Sequence, residues 1–213
     1  MLAVGVDWRV FKPEWERALA KSKHKIRDTG QGSVRIIAGQ WRGRRLLVPD
    51  LDGLRPSGDR SRETLFNWLQ PHVHQARCAD LFAGTGVLGM EAVSRGASSA
   101  VLVENSHEAA KCIRGSIETL GTSAVRLVES EALAWLEKQP ENSLDLVFID
   151  PPFGKGLTEQ TVHFLTQSDC LEVGGLVYLE SARIEPVVPP GPRWEQLREK
   201  VLGGVRMQLY KKL

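Results

Sequence analysis

The chain has 213 residues, 42% of them apolar and 25% charged, and 28 Lys and Arg against 26 Asp and Glu leave a net charge of +2. This is an ordinary globular composition, long enough for one domain with a buried core and a small appendage. No apolar run approaches the roughly 18 residues that a membrane span needs, and the N-terminus lacks the continuous apolar stretch of a secretory signal.

Residues 1–31 read as an N-terminal extension. "PEWERALAKSKHK" has the pattern of a short helix with Pro13 near its start, with disorder as the alternative, and "DTGQG" reads as a loop. Four acids among these 31 residues argue against a transit peptide, and no function attaches to the segment. From Ser33 the pattern changes. "VRIIAG" and "RRLLVP" are short β-like runs around "QWRG", which predicts a hairpin. "GLRPSGD" is a loop. Asp59 is expected to N-cap a helix through Leu69, with Leu65, Trp68 and Leu69 on one face, and Pro71 stops it.

The rest alternates. "CADLF" is a strand, followed by "AGTG" and a helix near 87–95. "SAVLVE" precedes a helix near 107–119, "AVRLV" one near 131–138, and "LDLVFID" one near 158–167. "GGLVYLE" is a fifth strand, and the tail reads as two further strands joined at Gly203-Gly204. Strands alternating with helices predict an α/β fold with a mostly parallel sheet, closed by an antiparallel edge hairpin. The expected organisation is the extension 1–31, a basic hairpin-and-helix appendage over 32–75, and a Rossmann-like domain over 76–213.

Cys78, Cys112 and Cys170 are isolated, so neither a disulfide framework nor a zinc cluster is suggested, and a reduced, cytoplasmic protein is expected. The five histidines form no pattern such as HExxH, and no metal is expected.

"DLFAGTGVLG" carries the first chemical signal. Gly84, Gly86 and Gly89 satisfy GxGxxG between a strand and a helix, and Glu104 ends the next strand twenty residues after Gly84. Such glycines let backbone approach a ligand at a helix N-terminus, and an acid at the second strand's end can bind a ribose diol. On spacing alone the cofactor is NAD or S-adenosylmethionine. Asp80, beside the loop, would repel a pyrophosphate and welcome an α-ammonium, directly or through water, which favours the methyl donor. Glu131, after the third strand, can accept a hydrogen bond from an adenine amine while nearby backbone contacts the ring; an acid in a first helical turn is the plain alternative.

"FIDPPFG" is the second signal. Asp150 ends the fourth strand, at the carboxyl edge where open α/β sheets bind ligands. The exocyclic amine of a nucleobase is a poor nucleophile because its lone pair is delocalised into the ring. Asp150 and the Pro151 carbonyl can accept its N–H bonds and aim that lone pair. Pro151 and Pro152 stiffen the turn, and Phe153 can stack on the base. The methyl is already activated, so Asp150 orients the amine and takes up its proton late. The alternative is an acid ending a strand before a rigid turn.

The third signal is charge. Residues 1–75 carry 14 Lys and Arg against 8 Asp and Glu, and residues 76–213 carry 14 against 18. A basic front end suits a polyanion partner. Arg35, Arg42, Arg44 and Arg45 surround the hairpin with Trp41 at its turn, and Arg55, Arg60 and Arg62 follow. Arginines interleaved with an aromatic suit phosphates and unpaired bases; a solvated hairpin with Trp41 packed inward is the alternative.

"VRIIAGQWRGRRL", "LRPSGDRSRETLFNWL", "DLFAGTGVLGMEAVSRGA" and "FIDPPFGKG", in this order, resemble the RsmD-type family of ribosomal RNA guanine-N2 methyltransferases over about residues 33–211. The resemblance implies a class I, S-adenosylmethionine-dependent methyltransferase. Its substrate would be the N2 amine of a guanine in the helix-31 loop of 16S ribosomal RNA, on the small subunit or an assembly intermediate. Adenine N6 is the runner-up target. It implies cofactor contacts from Asp80, Phe82, Ala83, Gly84, Thr85 and Gly86, and from Glu104, Asn105, Glu131 and Ala132, and a base site at Asp150, Pro151, Pro152 and Phe153. No membrane partner is expected, and the expected state is a monomer. Glu131 departs from the family pattern, which has Asn or Asp near the adenine, and so does the leader before Ser33.

Overall fold

The computed structural model describes residues 32–48, 58–186 and 191–213. The extension 1–31 and Arg55 lie outside the described residues. The main sheet has seven strands: β3 (Arg77–Asp80), β4 (Ser99–Glu104), β5 (Val125–Glu129), β6 (Leu144–Ile149), β7 (Leu171–Ala182), β8 (Trp194–Leu202) and β9 (Val205–Lys212). Their order is β5-β4-β3-β6-β7-β9-β8. The five strands from β5 to β7 are parallel, and β9 and β8 close the edge antiparallel, as the sequence predicts. Parallel strands are covered on both faces, which is why β4 and β6 are nearly continuous apolar runs. The exception in β6, Asp145, lies at the sheet's amino edge. Its carboxylate accepts from Arg77 Nε at 2.8 Å and Nη2 at 2.7 Å, tying β3 to β6, and these bonds hold Asp145 below the usual carboxylate range.

The connecting helices are α2 (Val87–Ser94), α3 (His107–Leu120), α4 (Ala132–Leu136) and α5 (Leu157–Gln167), preceded by α1 (Asp59–Leu69). Alternation along the strands builds two cores. Cys78, Leu102, Leu146, Phe148 and Tyr178 face one side with Phe66, Met90 and Ile113; Ala79, Val103, Val147, Ile149 and Leu179 face the other with Trp135, Val162 and Leu165. The chain runs β3, β4, β5 in one direction and then returns to β6 and β7 on the other side of β3. The β3–β6 border is therefore the switch point where such sheets bind ligands.

The basic hairpin, β1 (Ser33–Arg35) with β2 (Arg45–Leu47), is shorter than the apolar runs predict. Residues 36–44 are spent on docking against α2 instead. Glu91 on α2 accepts from Ile37 N at 2.7 Å and Ala38 N at 2.9 Å, and Ser94 O accepts from Gln40 N at 2.8 Å. A side chain at Gly39 would place its Cβ 1.8 Å from Ser94 O, so only glycine permits this approach. Gly32–Leu213 is thus one compact unit, in which the appendage is an extra layer on the sheet domain.

Three expectations change here. Asp59 is the first helical residue rather than the cap, a place taken by Gly58; its carboxylate accepts from Arg35 and Arg62 instead. Trp41 is buried in the core, because the docked loop turns inward, so it offers no face to a base. Arg62 is fully buried, between Asp59, Glu91 and the Arg35 carbonyl, and is a structural cation rather than an RNA contact.

Candidate active site

Two loops leave the carboxyl edge at the switch point. The first follows β3. Gly84 and Gly86 have φ of 54° and 75°, and Gly86 is the αL residue before α2. Gly89 serves packing: its Cβ would meet Leu102 Cδ2 at 2.2 Å, so it brings α2 onto β4 rather than backbone onto a ligand. Ala83, Thr85 and Gly86 are buried and Phe82 is half-buried. Glu104, at the end of β4, accepts from Gly84 N at 2.7 Å and from Ser106 N at 2.8 Å. These bonds fix its carboxylate beside the loop and leave its other lone pairs for a diol. Asn105 Nδ2 donates to Glu131 Oε1 at 3.0 Å, so these exposed residues meet across the ends of β4 and β5, with Ala132 opening α4 behind them.

Asp80 is 1% exposed and its Oδ2 accepts from Gly89 N at 3.1 Å, so it caps α2 from within. Burial pushes it up to about 7, the Gly89 bond opposes this, and Asp150 and Glu104 push it further up. Its place is behind the glycine loop, without an exposed contact.

The second loop follows β6. Pairing of Asp80 with Phe148 puts Asp150 two residues further along the neighbouring strand. Pro151 is buried, and Phe153 is 44% exposed, free to present a ring face. Gly154 N donates to Glu185 Oε1 at 2.6 Å, and Glu185 Oε2 accepts from Ala182 N at 3.2 Å, so the loop is strapped to the end of β7. A cavity of about 220 Å³ opens on that side, among Pro152, Gly154, Thr158, Ser181 and Gln208. The Asp150–Phe153 turn, a candidate clamp, is therefore flanked by Asp80 toward β3, while its far end borders this cavity.

Two residues that sequence reasoning missed lie beneath it. Tyr178 and Glu180 are both buried on β7, and the Tyr178 hydroxyl donates to Glu180 Oε2 at 2.6 Å. An acid closing the apolar run "GGLVYLE" is the same signal that marks Asp80, Glu104 and Asp150, and it would have found Glu180.

Acids line the glycine-loop side of the site, and residues 80–86 contain no Lys or Arg, while Lys155 lines the cavity beyond the second loop. A pyrophosphate would face uncompensated repulsion there, whereas a cationic nucleoside relieves repulsion among Asp80, Glu104 and Asp150. Among the described residues no group of three or more His, Cys, Asp or Glu could hold a metal ion, and no helix is long and apolar enough to cross a membrane. Glu104→Ala is expected to weaken S-adenosylmethionine binding at least tenfold while the protein stays folded; isothermal titration reads this, and an unchanged Kd would remove Glu104 from the site.

Of the arginines in the basic front end, Arg35, Arg42, Arg44, Arg45 and Arg60 are exposed among the described residues. Arg35 pairs with Asp59, and Arg45 donates to Ser33 Oγ, while both remain on the surface.

The chain's similarities agree with this geometry. The family model described as conserved hypothetical protein 95 matches residues 34–211. The Escherichia coli (strain K12) protein named ribosomal RNA small subunit methyltransferase D is 44% identical over 191 residues, 88% of this chain and 94% of that protein. The Haemophilus influenzae protein of the same name is 43% identical over 184 residues, 84% of this chain and 94% of its own length. The solved structure of a putative methyltransferase from Escherichia coli superposes with a TM-score of 0.76 at 43% identity, covering 85% of this chain and 98% of that one.

Proposed function

This chain belongs to the RsmD family of methyltransferases, the conserved hypothetical protein 95 family, and on that premise we propose that it methylates the exocyclic N2 amine of a guanine in small-subunit (16S) ribosomal RNA. The cofactor is S-adenosylmethionine, which supplies a methyl group activated on a sulfonium. The observation that carries the reading is the juxtaposition at the switch point: the Asp150–Phe153 clamp beside the Gly84–Gly86 loop on adjoining strands.

The chain's own residues divide the work. Glu104 holds the cofactor's ribose, Asp80 favours its cationic end, and Asn105, Glu131 and Ala132 border the adenine. Asp150 and the Pro151 carbonyl accept the two N–H bonds of the target amine, aim its lone pair at the methyl and stabilise the charge that grows on nitrogen. Phe153 stacks on the base, which must leave its own stack to reach the clamp. A looped RNA allows this cheaply, in keeping with the helix-31 loop as target and with the small subunit or its assembly intermediate as substrate. The exposed arginines contact phosphates, which positions the RNA without choosing the base. The protein would act as a cytoplasmic monomer, without metal.

The test is nucleoside mass spectrometry of small-subunit RNA incubated with the protein and S-adenosylmethionine. N2-methylguanosine is expected. N6-methyladenosine without it would favour the adenine reading, since that amine needs the same two acceptors.

A further inference from the structure

The pairing of β6 with β7 places Phe148 opposite Tyr178 and Ile149 opposite Leu179. Continued one residue past the end of β6, that register brings Asp150 alongside Glu180, on chains about 4.8 Å apart. Side chains two apart along a strand share a face, so Glu180 lies on the face of Tyr178, and the same alternation carried past β6 turns Asp150 to the face of Phe148. Glu180 is 5% exposed and has no reason of packing to be an acid there. Its Oε2 is fixed by the Tyr178 hydroxyl, and its partner on β9 is the apolar Met207.

We propose that Glu180, oriented by Tyr178, is a positioning residue of methyl transfer: as a neutral carboxyl beside Asp150 it shares one proton with that residue and keeps the Asp150 carboxylate charged and aimed at the target amine. The proposal rests on the reading of Asp150 as the amine holder.

The chemistry balances. The amine nitrogen forms a bond to the methyl carbon, the carbon–sulfur bond breaks, and its electron pair stays on sulfur. The nitrogen then releases one proton to Asp150, and the Asp150–Glu180 pair holds it until solvent removes it. Two ionised carboxylates side by side are disfavoured in a buried setting, so the pair enters the reaction with one proton already between them. Among the described residues the groups that act on Glu180 agree with this. Burial and Asp150 push it up to about 8, and the Tyr178 hydroxyl opposes them; Tyr178 is itself pushed well above its usual value by burial, Glu180 and Asp150.

The sign follows. An unfolded Glu ionises near pH 4.5 and the folded one near 8, so the unfolded chain loses this proton first and stability falls as pH rises between those values. Glu180→Gln removes this share of the slope and leaves the one that Asp80, raised to about 7, contributes. In single-turnover methylation of small-subunit RNA, Glu180→Ala is expected to fall about tenfold with little change in RNA affinity, and Glu180→Gln to recover most of the loss, since its amide can donate to Asp150 and accept from Tyr178. The wild-type rate should drop above about pH 8 and the Gln variant's should not. Glu180→Ala within twofold of wild type, Gln no better than Ala, or identical pH profiles would each overturn the proposal. Should the Ala variant fail to fold, the Gln pH profile decides. A wild-type protein that methylates no RNA amine would instead defeat the reading of Asp150 itself.

Discussion

Asp150→Ala is expected to lower methylation of small-subunit RNA by about 10²- to 10⁴-fold, the range for loss of a positioned acid–base group. RNA affinity should change by less than about threefold, because the arginines proposed to contact phosphates lie on the hairpin and α1. S-adenosylmethionine binding should persist, since Glu104 and the glycine loop are built from other strands. Filter binding and single-turnover methyl transfer separate these quantities. A variant that still methylates near the wild-type rate would show that Asp150 merely ends β6. Asp150→Asn sharpens the test. The amide keeps one acceptor oxygen but carries no charge, so it should retain more activity than alanine while losing proton uptake.

Glu91→Ala is the substitution expected to cost most stability. Glu91 and Arg62 are both fully buried, with Oε2 3.4 Å from Nη1. Burial lowers the Arg62 pKa, and Asp59 and Glu91 oppose that shift, so the buried guanidinium depends on its acids. Removing one leaves a buried charge short of a partner, typically a loss of about 3–5 kcal/mol. It also orphans the N–H groups of Ile37 and Ala38 and frees Arg95, whose Nε donates to Glu91 at 2.7 Å. Urea unfolding should show a much lower midpoint, and a change below about 1 kcal/mol would contradict the account. Proteolysis should open the hairpin first, because Glu91 and Ser94 together hold its loop to α2 and only Ser94 would remain. The helix that carries Glu91 begins at the glycine loop, so the same residue sets the basic hairpin relative to that loop.

Where local pattern decides, the chain is legible. The helix over 107–119 is observed as His107–Leu120, with Ser106 capping at 3.4 Å to Ala109 N. The tail hairpin turns at Gly203-Gly204, and β9 pairs antiparallel to β7. Period-two apolar runs and glycine breaks are properties of neighbours in sequence, and tertiary packing seldom reverses them. Asp80, Glu104 and Asp150 stand out in the sequence for a related reason: an acid at the end of an apolar strand is costly unless it finds a donor or faces a crevice.

The basic hairpin marks the limit. Its arginines and Trp41 look alike in a row of letters, yet Trp41 is core, Arg62 is a buried cation, and Arg42 and Arg44 are exposed. Which side of a docked loop faces the protein is set by Glu91 and Ser94, more than fifty residues away. The sequence alone determined the α/β order, the glycine loop, the Asp-Pro-Pro-Phe turn after β6 and the basic front end, because each is written within one short segment. Only the tertiary structure decided that Asp80 caps a helix, that Gly89 serves packing and that Glu180 stands beside Asp150. Those facts depend on strand order and register, through which residues distant in the chain share or lose access to water.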